Sequence, residues 1–321
     1  MITIEEVNKA YENIRADIRR TSLEFSPELS RISGAEVYLK MEQLQLTGSF
    51  KIRGVLNKIR SIETADFNKT FVAASTGNHA AAFAYASDRF NFKGDLFLPE
   101  KTSEAKIRAI EKYAVKKIFY GRNSMETEAK ATSHAQEING ILIHPYNDIH
   151  IICGQGTIGV EIKEQLPELD TVLAPIGGGG LISGLCAYFQ DDKTVNVIGC
   201  QPANADEMYA SVKEGHIVSP STLDTISDAT AGGIEENALT YDICKKMLSG
   251  FEIIEEEAIK KAVAFIVKYH QTLVEPASAL PVAALLNSKN YKGKKVVLVL
   301  TGKKINTSLL TQILVEYGNY Y

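Results

Sequence analysis

Short apolar runs rich in β-branched residues alternate along the chain with longer stretches in which apolar positions recur at helical spacing. The apolar runs predict strands at residues 37–40, 71–74, 96–98, 117–120, 141–144, 171–175, 195–200 and 296–300. The longer stretches predict helices that include residues 104–112, 125–138, 255–269 and 277–287. This alternation is typical of βαβ units, and unbroken apolar runs are typical of parallel strands buried on both faces. The pattern therefore predicts an α/β protein built on open parallel sheets with flanking helices.

Segments rich in glycine, serine or threonine follow three of the predicted strands, at residues 75–79, 177–180 and 301–302. Because open parallel sheets bind ligands beyond the carboxyl ends of their strands, we expect these segments to line one shared cleft. The order of elements also favours two lobes. Residues 71–147 would form a small mobile domain, and residues 1–70 with 148–321 would form a large ligand-binding domain.

The composition excludes several classes of partner. The 321 residues are 45% hydrophobic and 23% charged, with a net charge of −4, which is ordinary for a soluble enzyme. Such a chain has no electrostatic attraction for nucleic acid or an anionic membrane, so we expect a local site for a small molecule. No apolar run reaches the ~20 residues of a membrane-spanning helix, and no signal peptide is expected. Four dispersed cysteines without CxxC spacing favour reduced thiols and a cytoplasmic protein.

The four glycines at residues 177–180 follow a predicted buried strand and open a predicted helix. Such a loop lets backbone N–H groups converge on an anion beside the positive end of the helix dipole. The dinucleotide fingerprint GxGxxG does not fit, because Ile182 or Ser183 occupies the place of its last glycine. A single compact phosphate is the predicted ligand. A tight turn without a ligand is the alternative.

Lys51 lies among small and aromatic residues at the start of a predicted helix. An amine in a partly dry pocket has a lowered pKa, which makes it a usable nucleophile and base. A solvated surface lysine is the equally weighted alternative on this local evidence.

Two further segments carry polar groups at the predicted cleft. The hydroxyls, amide and N–H groups of residues 75–79 suit a carboxylate or a phenolic oxygen, although Ser75 or Thr76 could simply cap the following helix. The hydroxyl of Thr301 could meet a ring nitrogen, or could mark an ordinary strand end.

The order of these motifs is more specific than any one of them. Residues 49–54, 75–79, 154–157, 177–180 and 274–276 together resemble the serine/threonine dehydratase and serine racemase family. The resemblance extends from about residue 24 to residue 310. It implies the two-lobed, tryptophan synthase β-like fold of pyridoxal 5'-phosphate (PLP) enzymes, known as fold type II, with PLP bound by the large domain.

The resemblance also implies a role for each motif. Lys51 would hold PLP as a Schiff base and remove the substrate α-proton. Phe50 would pack beside the cofactor ring, Asn78 would bond its phenolic oxygen, and Thr301 would face its nitrogen. The cofactor phosphate would be held by Gly177, Gly178, Gly179 and Gly180. The substrate carboxylate would be held by the loop of Ser75, Thr76, Gly77, Asn78 and His79, in which His79 is expected to pack rather than act as an acid.

The activity implied is that of an ammonia-lyase, which converts L-threonine, L-serine or a related 3-hydroxy amino acid into a 2-oxo acid and ammonia. A serine or aspartate racemase is the alternative, with Thr76 as the second acid and base. A β-replacement synthase or a non-catalytic PLP-binding protein is less favoured. Residues 228–235 and the Lys303-Lys304 pair depart from the family pattern. These departures favour an unusual or acidic substrate, such as threo-3-hydroxyaspartate or a hydroxyectoine breakdown product.

The family's divalent-cation site corresponds to Gln201, Ala205 and Glu207. Because Gln201 is neutral where racemases carry a carboxylate, we expect Mg²⁺ or Ca²⁺ to bind weakly, if at all. We also expect a homodimer or homotetramer without a C-terminal regulatory domain.

Overall fold

The computed structural model describes residues 2–102, 104–122, 124–219 and 223–320. The strands are β1 (Leu23–Phe25), β2 (Glu36–Lys40), β3 (Phe71–Ala74), β4 (Gly94–Leu98), β5 (Lys116–Phe119), β6 (Ile141–Leu142), β7 (Thr171–Pro175), β8 (Asn196–Pro202), β9 (Gly250–Ile254) and β10 (Lys295–Val299). The helices are α1 (Ile4–Ile14), α2 (Pro27–Ser33), α3 (Lys51–Arg60), α4 (Asn78–Phe90), α5 (Glu104–Glu111), α6 (Ser124–Glu137), α7 (Ile149–Gln165), α8 (Gly180–Phe189), α9 (Glu207–Glu214), α10 (Leu239–Met247), α11 (Glu256–His270), α12 (Pro276–Asn287) and α13 (Thr307–Tyr317). Short 3-10 helices span Glu42–Leu44, Thr64–Asn68 and Asp228–Thr230.

The larger sheet has six strands in the order β1-β2-β10-β7-β8-β9. Only β1 runs antiparallel to its neighbour, and the other pairs are parallel. The apolar side chains of β7 and β10 are buried on both faces, as their unbroken apolar sequences predict. Since β7 and β10 are adjacent and parallel, the glycine loop and Thr301 emerge side by side at the same edge of the sheet.

The smaller sheet is parallel and has the strand order β5-β4-β3-β6, within residues 71–142. Its hydrophobic cluster also includes Ile52, Val55 and Leu56 of α3. Helix α3 therefore shares this cluster, through its packing against α4, although it precedes the predicted boundary at residue 71. The division into a large and a small mobile domain stays a prediction.

The predicted strands and helices are present, with ends that differ by at most two residues. The sequence pattern did not predict two of the described strands, β1 and β9. β1 has only three residues and pairs along the edge of the sheet. β9 begins with glycine and carries a glutamate, Glu252, so it lacks both an apolar run and clear alternation. Its pairing with β8 defines it as a strand.

A buried group of charges fixes the start of α3. Arg53 donates to both oxygens of Glu42, at 2.8 and 2.7 Å, and to Glu161 at 2.8 Å. Lys40 donates to Glu161 at 2.6 Å, and all four side chains are fully buried. Two cations balance two carboxylates, which is the condition for tolerating charge in the interior. Because Arg53 lies two residues after Lys51, this group ties the beginning of α3 to β2 and α7.

The four cysteines are buried and unpaired in disulfides, as the sequence predicts. Among the described helices, none has the length and apolar character required to span a membrane.

Candidate active site

Lys51 is the first residue of α3, and the backbone before it is fixed to the end of β10. The N–H of Phe50 donates to the carbonyl of Thr301 at 3.0 Å, and the N–H of Lys303 donates to the carbonyl of Gly48 at 3.1 Å. Gly48 has φ of +79°, a left-handed conformation that favours glycine. The end of β10 therefore determines where Lys51 enters the cleft.

The amine of Lys51 lies in an enclosed position. Its Nζ donates to the carbonyl of Pro145 at 2.7 Å and lies 5.4 Å from the centre of the Phe50 ring. Burial lowers the pKa of Lys51 to about 8, although the carboxylates of Glu128 and Glu275 oppose the change. An amine with a pKa near neutrality can act both as a nucleophile and as a base.

The glycine loop joins β7 to α8 where neighbouring side chains leave no room for a Cβ. An added Cβ would lie 2.4 Å from the Tyr146 ring at Gly178, and 2.8 Å from Cβ of Thr240 at Gly179. Gly179 has φ of +89° and caps α8, while Thr240 donates its hydroxyl to the carbonyl of Gly178 at 2.7 Å. The loop thus enters α8 with the N–H groups of the first helical turn available to an anion.

Tyr146 belongs to a group of polar side chains beside this loop. Its hydroxyl accepts the N–H of Glu235 at 3.0 Å. His144 accepts the N–H of Asn147 at 2.8 Å through Nδ1, and its Nε2 lies 3.2 Å from Oε1 of Glu235. The hydrogen bond from His144 lowers the pKa of Glu235. The segment after β6 is therefore tied to residues 228–235, the stretch that departs from the family pattern.

The loop from Ser75 to Asn78 is half-buried and borders open space. The Oγ of Ser75 accepts the N–H of Gly77 at 3.2 Å, and a Cβ added to Gly77 would meet no atom within 4 Å. Gly77 is the N-cap of α4 and no side chain caps it, so the alternative that Ser75 or Thr76 caps this helix is wrong. The N–H groups that begin α4 have no side-chain cap, so they remain available to an anion.

His79 points away from that open space. Its imidazole is buried, and Nε2 bonds the carbonyl of Ile143 at 2.8 Å. Burial lowers the pKa of His79 to about 3, so the ring is neutral and Nε2 is the donor. This imidazole packs the loop against the end of β6, and any contact with a substrate would have to come from its backbone.

Asn78 meets a carboxylate that the sequence motif contained without an assigned role. Its Nδ2 donates to both oxygens of Glu275, at 2.8 and 2.9 Å. The Glu275 side chain is only 4% exposed, and burial raises its pKa to about 7. The Oδ1 of Asn78 is buried and has no hydrogen-bond partner among the described residues.

Thr301 follows β10, and its hydroxyl lies 3.0 Å from the hydroxyl of Ser278. Ser278 also bonds the carbonyl and the N–H of Gly302, each at 2.7 Å. The hydroxyl of Ser278 has one proton, which it donates to the carbonyl of Gly302, so Thr301 is the donor in its bond with Ser278. Ser278 fixes Thr301 at the edge shared with the glycine loop.

The predicted cation ligands lie between the end of β8 and the first residue of α9, and the Gln201 side chain is already bonded to the backbone there. The amide of Gln201 donates to the carbonyl of Ala205 at 3.5 Å and accepts the N–H of Tyr209 at 2.9 Å. Glu207 is the ionisable member, and burial raises its pKa. No cluster of three or more His, Cys, Asp or Glu side chains suited to a metal occurs in the described part of the chain. Weak cation binding stays the prediction.

The sequence motifs left out several residues that complete this site. Glu128, Pro145 and Tyr146 contact or face Lys51 and the glycine loop, yet none belongs to a motif with glycine or hydroxyl groups. Pro145 acts through its backbone carbonyl, which any residue supplies. Its role is therefore invisible in the sequence.

The parallel two-sheet fold, the enclosed lysine and the glycine cradle together define a PLP enzyme of fold type II. A family model described as pyridoxal-phosphate dependent enzyme matches residues 14–302, and the chain belongs to this family.

Similar proteins place the chain within one branch of that family. It is 37% identical to an L-threonine ammonia-lyase of Thermotoga maritima, over 98% of this chain and 78% of that protein. It is 33% identical to a catabolic L-threonine dehydratase of Escherichia coli, over 97% and 96% of the two chains. Maize serine racemase superposes with a TM-score of 0.90 at 28% identity, covering 99% and 98%. These similarities confirm the predicted family, fold type, cofactor and class of enzyme.

The residues present fit PLP. The cradle at Gly178 and Gly179 excludes any side chain, as a loop that grips a phosphate through its backbone must. The buried, unpartnered oxygen of Asn78 and the hydroxyl of Thr301 provide polar contacts for a heterocyclic ring. The enclosed amine of Lys51 is suited to a Schiff base.

Proposed function

We propose that the chain is a PLP-dependent ammonia-lyase that acts on L-threonine, L-serine or a related 3-hydroxy amino acid. Its products are a 2-oxo acid and ammonia. The observation that carries this proposal is the Lys51 amine, held at the carbonyl of Pro145 with its pKa lowered to about 8. Relatives that are named threonine ammonia-lyase or threonine dehydratase support the choice of reaction.

Five parts of the chain would hold the cofactor. Lys51 would bind it covalently, and the N–H groups of residues 177–180 would bind its phosphate at the start of α8. Phe50 would pack beside the ring, Thr301 would bond its nitrogen, and Asn78 would bond its phenolic oxygen. When bound, PLP supplies the electron sink that acidifies the α-carbon of an amino acid.

The chain's own residues then bind the substrate and move its α-proton. The substrate carboxylate would lie on the loop of residues 75–79, where N–H groups and the dipole of α4 favour negative charge. The Nζ of Lys51 would take the α-proton, because its lowered pKa increases the fraction of the amine that is neutral and able to accept a proton. The β-hydroxyl would leave as water, which balances the α-proton removed by Lys51, and the released enamine would hydrolyse in water to the 2-oxo acid and ammonia.

The charges around Lys51 favour a substrate with a neutral side chain. Glu128 and Glu275 are the carboxylates whose charges act on the Lys51 amine, and they would repel an acidic side chain placed beside it. The charge of Lys304 acts on Glu275, and the side chain of Lys303 lies against Gly48. Both lysines therefore already interact with residues at the end of β10, which argues against a role in binding an acidic substrate. L-Threonine and L-serine are accordingly the first substrates to test, and threo-3-hydroxyaspartate is the second.

Racemisation is the second candidate function. It needs an acid and base on the face of the cofactor opposite Lys51, and the half-buried Thr76 would supply its hydroxyl there. The similarity to maize serine racemase supports this alternative.

Three further expectations accompany the proposal. We propose that residues 71–147 move as a small domain relative to the rest of the chain. The reduced cysteines support a cytoplasmic location. A homodimer or homotetramer stays the expected assembly.

Colour and product analysis test the proposed function. The purified protein should be yellow, and Lys51→Ala should abolish the visible absorption band, whereas Lys213→Ala on the exposed surface of α9 should retain it. Incubation with L-threonine, L-serine and threo-3-hydroxyaspartate should give 2-oxo acid and ammonia from at least one of them. A colourless protein that takes up no PLP would contradict the proposal. Formation of the D-enantiomer alone, lost in Thr76→Ala, would establish the racemase instead.

A further inference from the structure

The hydrogen bond between Asn78 and Glu275 joins the two sheets across the cleft. Asn78 begins α4 beside the smaller sheet, and Glu275 precedes α12 beside the end of β10. Both oxygens of the carboxylate lie within 2.9 Å of Nδ2. The contact depends on Gly302, because a Cβ there would lie 2.5 Å from Oε1 of Glu275. Glu275 therefore determines the orientation of the Asn78 amide.

In this orientation Asn78 presents an acceptor to its other neighbours. Its Oδ1 is buried and lacks a hydrogen-bond partner among the described residues. Because a buried acceptor without a partner is costly, we expect a bound molecule to supply a donor there. The reversed amide would place Oδ1 against the Glu275 carboxylate. Two acceptors repel each other unless the carboxyl carries a proton, so reversal requires protonated Glu275.

We propose that Glu275 is a positioning residue whose protonation decides which end of the Asn78 amide faces the phenolic oxygen of the bound cofactor. With Glu275 protonated, Nδ2 faces that oxygen and stabilises its ionised form. With Glu275 ionised, Oδ1 faces it and stabilises the protonated form. The proton for the phenolic oxygen then comes from the Nζ of Lys51, to which the cofactor is attached, so no external acid is needed.

Glu275 titrates among several charged groups. Burial raises its pKa to about 7, and Asp228 of the 3-10 helix adds to the rise, while Asn78 and Lys304 oppose it. Lys51 faces it from α3. Burial lowers the pKa of Lys304 to about 8, so a test must separate Lys304 from Glu275 by substitution.

The inference rests on the proposed function, because it requires bound PLP. Absorption spectra of the PLP-loaded protein across the neutral pH range test it. In the wild type, the visible band should weaken and a near-ultraviolet band should grow as pH rises through the titration of Glu275. In Glu275→Gln, which cannot ionise, the spectrum should stay constant. Glu252→Gln is the matched control, because Glu252 bonds Tyr291 near the amino ends of the strands and should leave the transition intact.

The outcomes separate the possible causes. A wild-type spectrum without this transition, or a Glu275→Gln protein that retains it, would overturn the inference and assign any transition to Lys304 or Lys51. If Glu275→Gln does not fold, Asn78→Ala provides the same test, because removal of the amide should also abolish the transition. A yellow protein that forms 2-oxo acid but has a Glu275-independent spectrum would refute only this inference. A colourless protein would refute the proposed function as well.

Discussion

Replacing Lys51 with methionine should stabilise the protein without cofactor, by an amount that depends on pH. The pKa of Lys51 falls from its ordinary value of 10.5 to about 8 because of burial. At about 1.4 kcal/mol per pH unit, the charged amine costs the folded state about 3 kcal/mol at neutral pH. Because the side chain retains partial access to the cleft, screening by water reduces the expected cost to about 2 kcal/mol. Methionine removes this cost but also loses the hydrogen bond to Pro145, worth about 1 kcal/mol.

The sign follows from proton binding. Between pH 8 and 10.5 the unfolded chain binds a proton at Lys51 that the folded chain has lost, so wild-type stability rises with pH in this window. Below it, the folded state carries the whole cost. The advantage of Lys51→Met over the wild type should therefore be largest at neutral pH and should fall by about 2 kcal/mol as pH approaches 10.5.

Urea unfolding of the protein freed of PLP, measured at neutral pH and in steps up to alkaline pH, checks this expectation. Lys213→Met is the control, because Lys213 lies on an exposed helix surface and its substitution should shift stability equally at every pH. A Lys51→Met difference that stays constant with pH would refute the reasoning. It would mean that the folded chain accommodates the ammonium without a desolvation cost.

Three further substitutions test other parts of the structure. Gly178→Ala should reduce PLP affinity at least tenfold in a fluorescence titration, because its Cβ would lie 2.4 Å from the Tyr146 ring. The control Gly232→Ala places its Cβ in open space and should retain the affinity. Equal affinities of the two variants would show that the glycine loop does not bind the cofactor phosphate. Arg53→Met should lower the free energy of unfolding at pH 7, measured by urea unfolding, by about 3–5 kcal/mol, since it leaves two buried carboxylates with a single lysine. A loss under about 1 kcal/mol would show that water reaches these carboxylates. The melting temperature of Gln201→Glu should rise with added Ca²⁺, whereas that of the wild type should not change. A variant whose melting temperature does not respond would show that this position is no cation site.

Much of the fold could be predicted because its strands have a simple cause. β7 and β10 are covered on both faces, so every position after the first residue of each strand is apolar. The pattern can be recognised without knowledge of the partners. β9 could not be predicted, since its glycine and glutamate form a strand only through pairing with β8. The hydrophobic cluster that α3 shares with α4 and the smaller sheet could not be predicted either, because an amphipathic helix shows which face it buries but not against which neighbour.

The candidate site was predictable where backbone geometry demands a residue type and hidden where packing alone gives a residue its role. Gly179 must be glycine for its positive φ, and the requirement shows in the sequence. Glu275 has no such mark: glutamate before a proline at the first turn of a helix is an ordinary helix start. Only the fold buries this carboxylate between Asn78 and Gly302, and burial is what raises its pKa. The remaining chemistry of this site therefore depends on residues that have ordinary local roles and that contacts distant in the sequence bring beside the reacting amine.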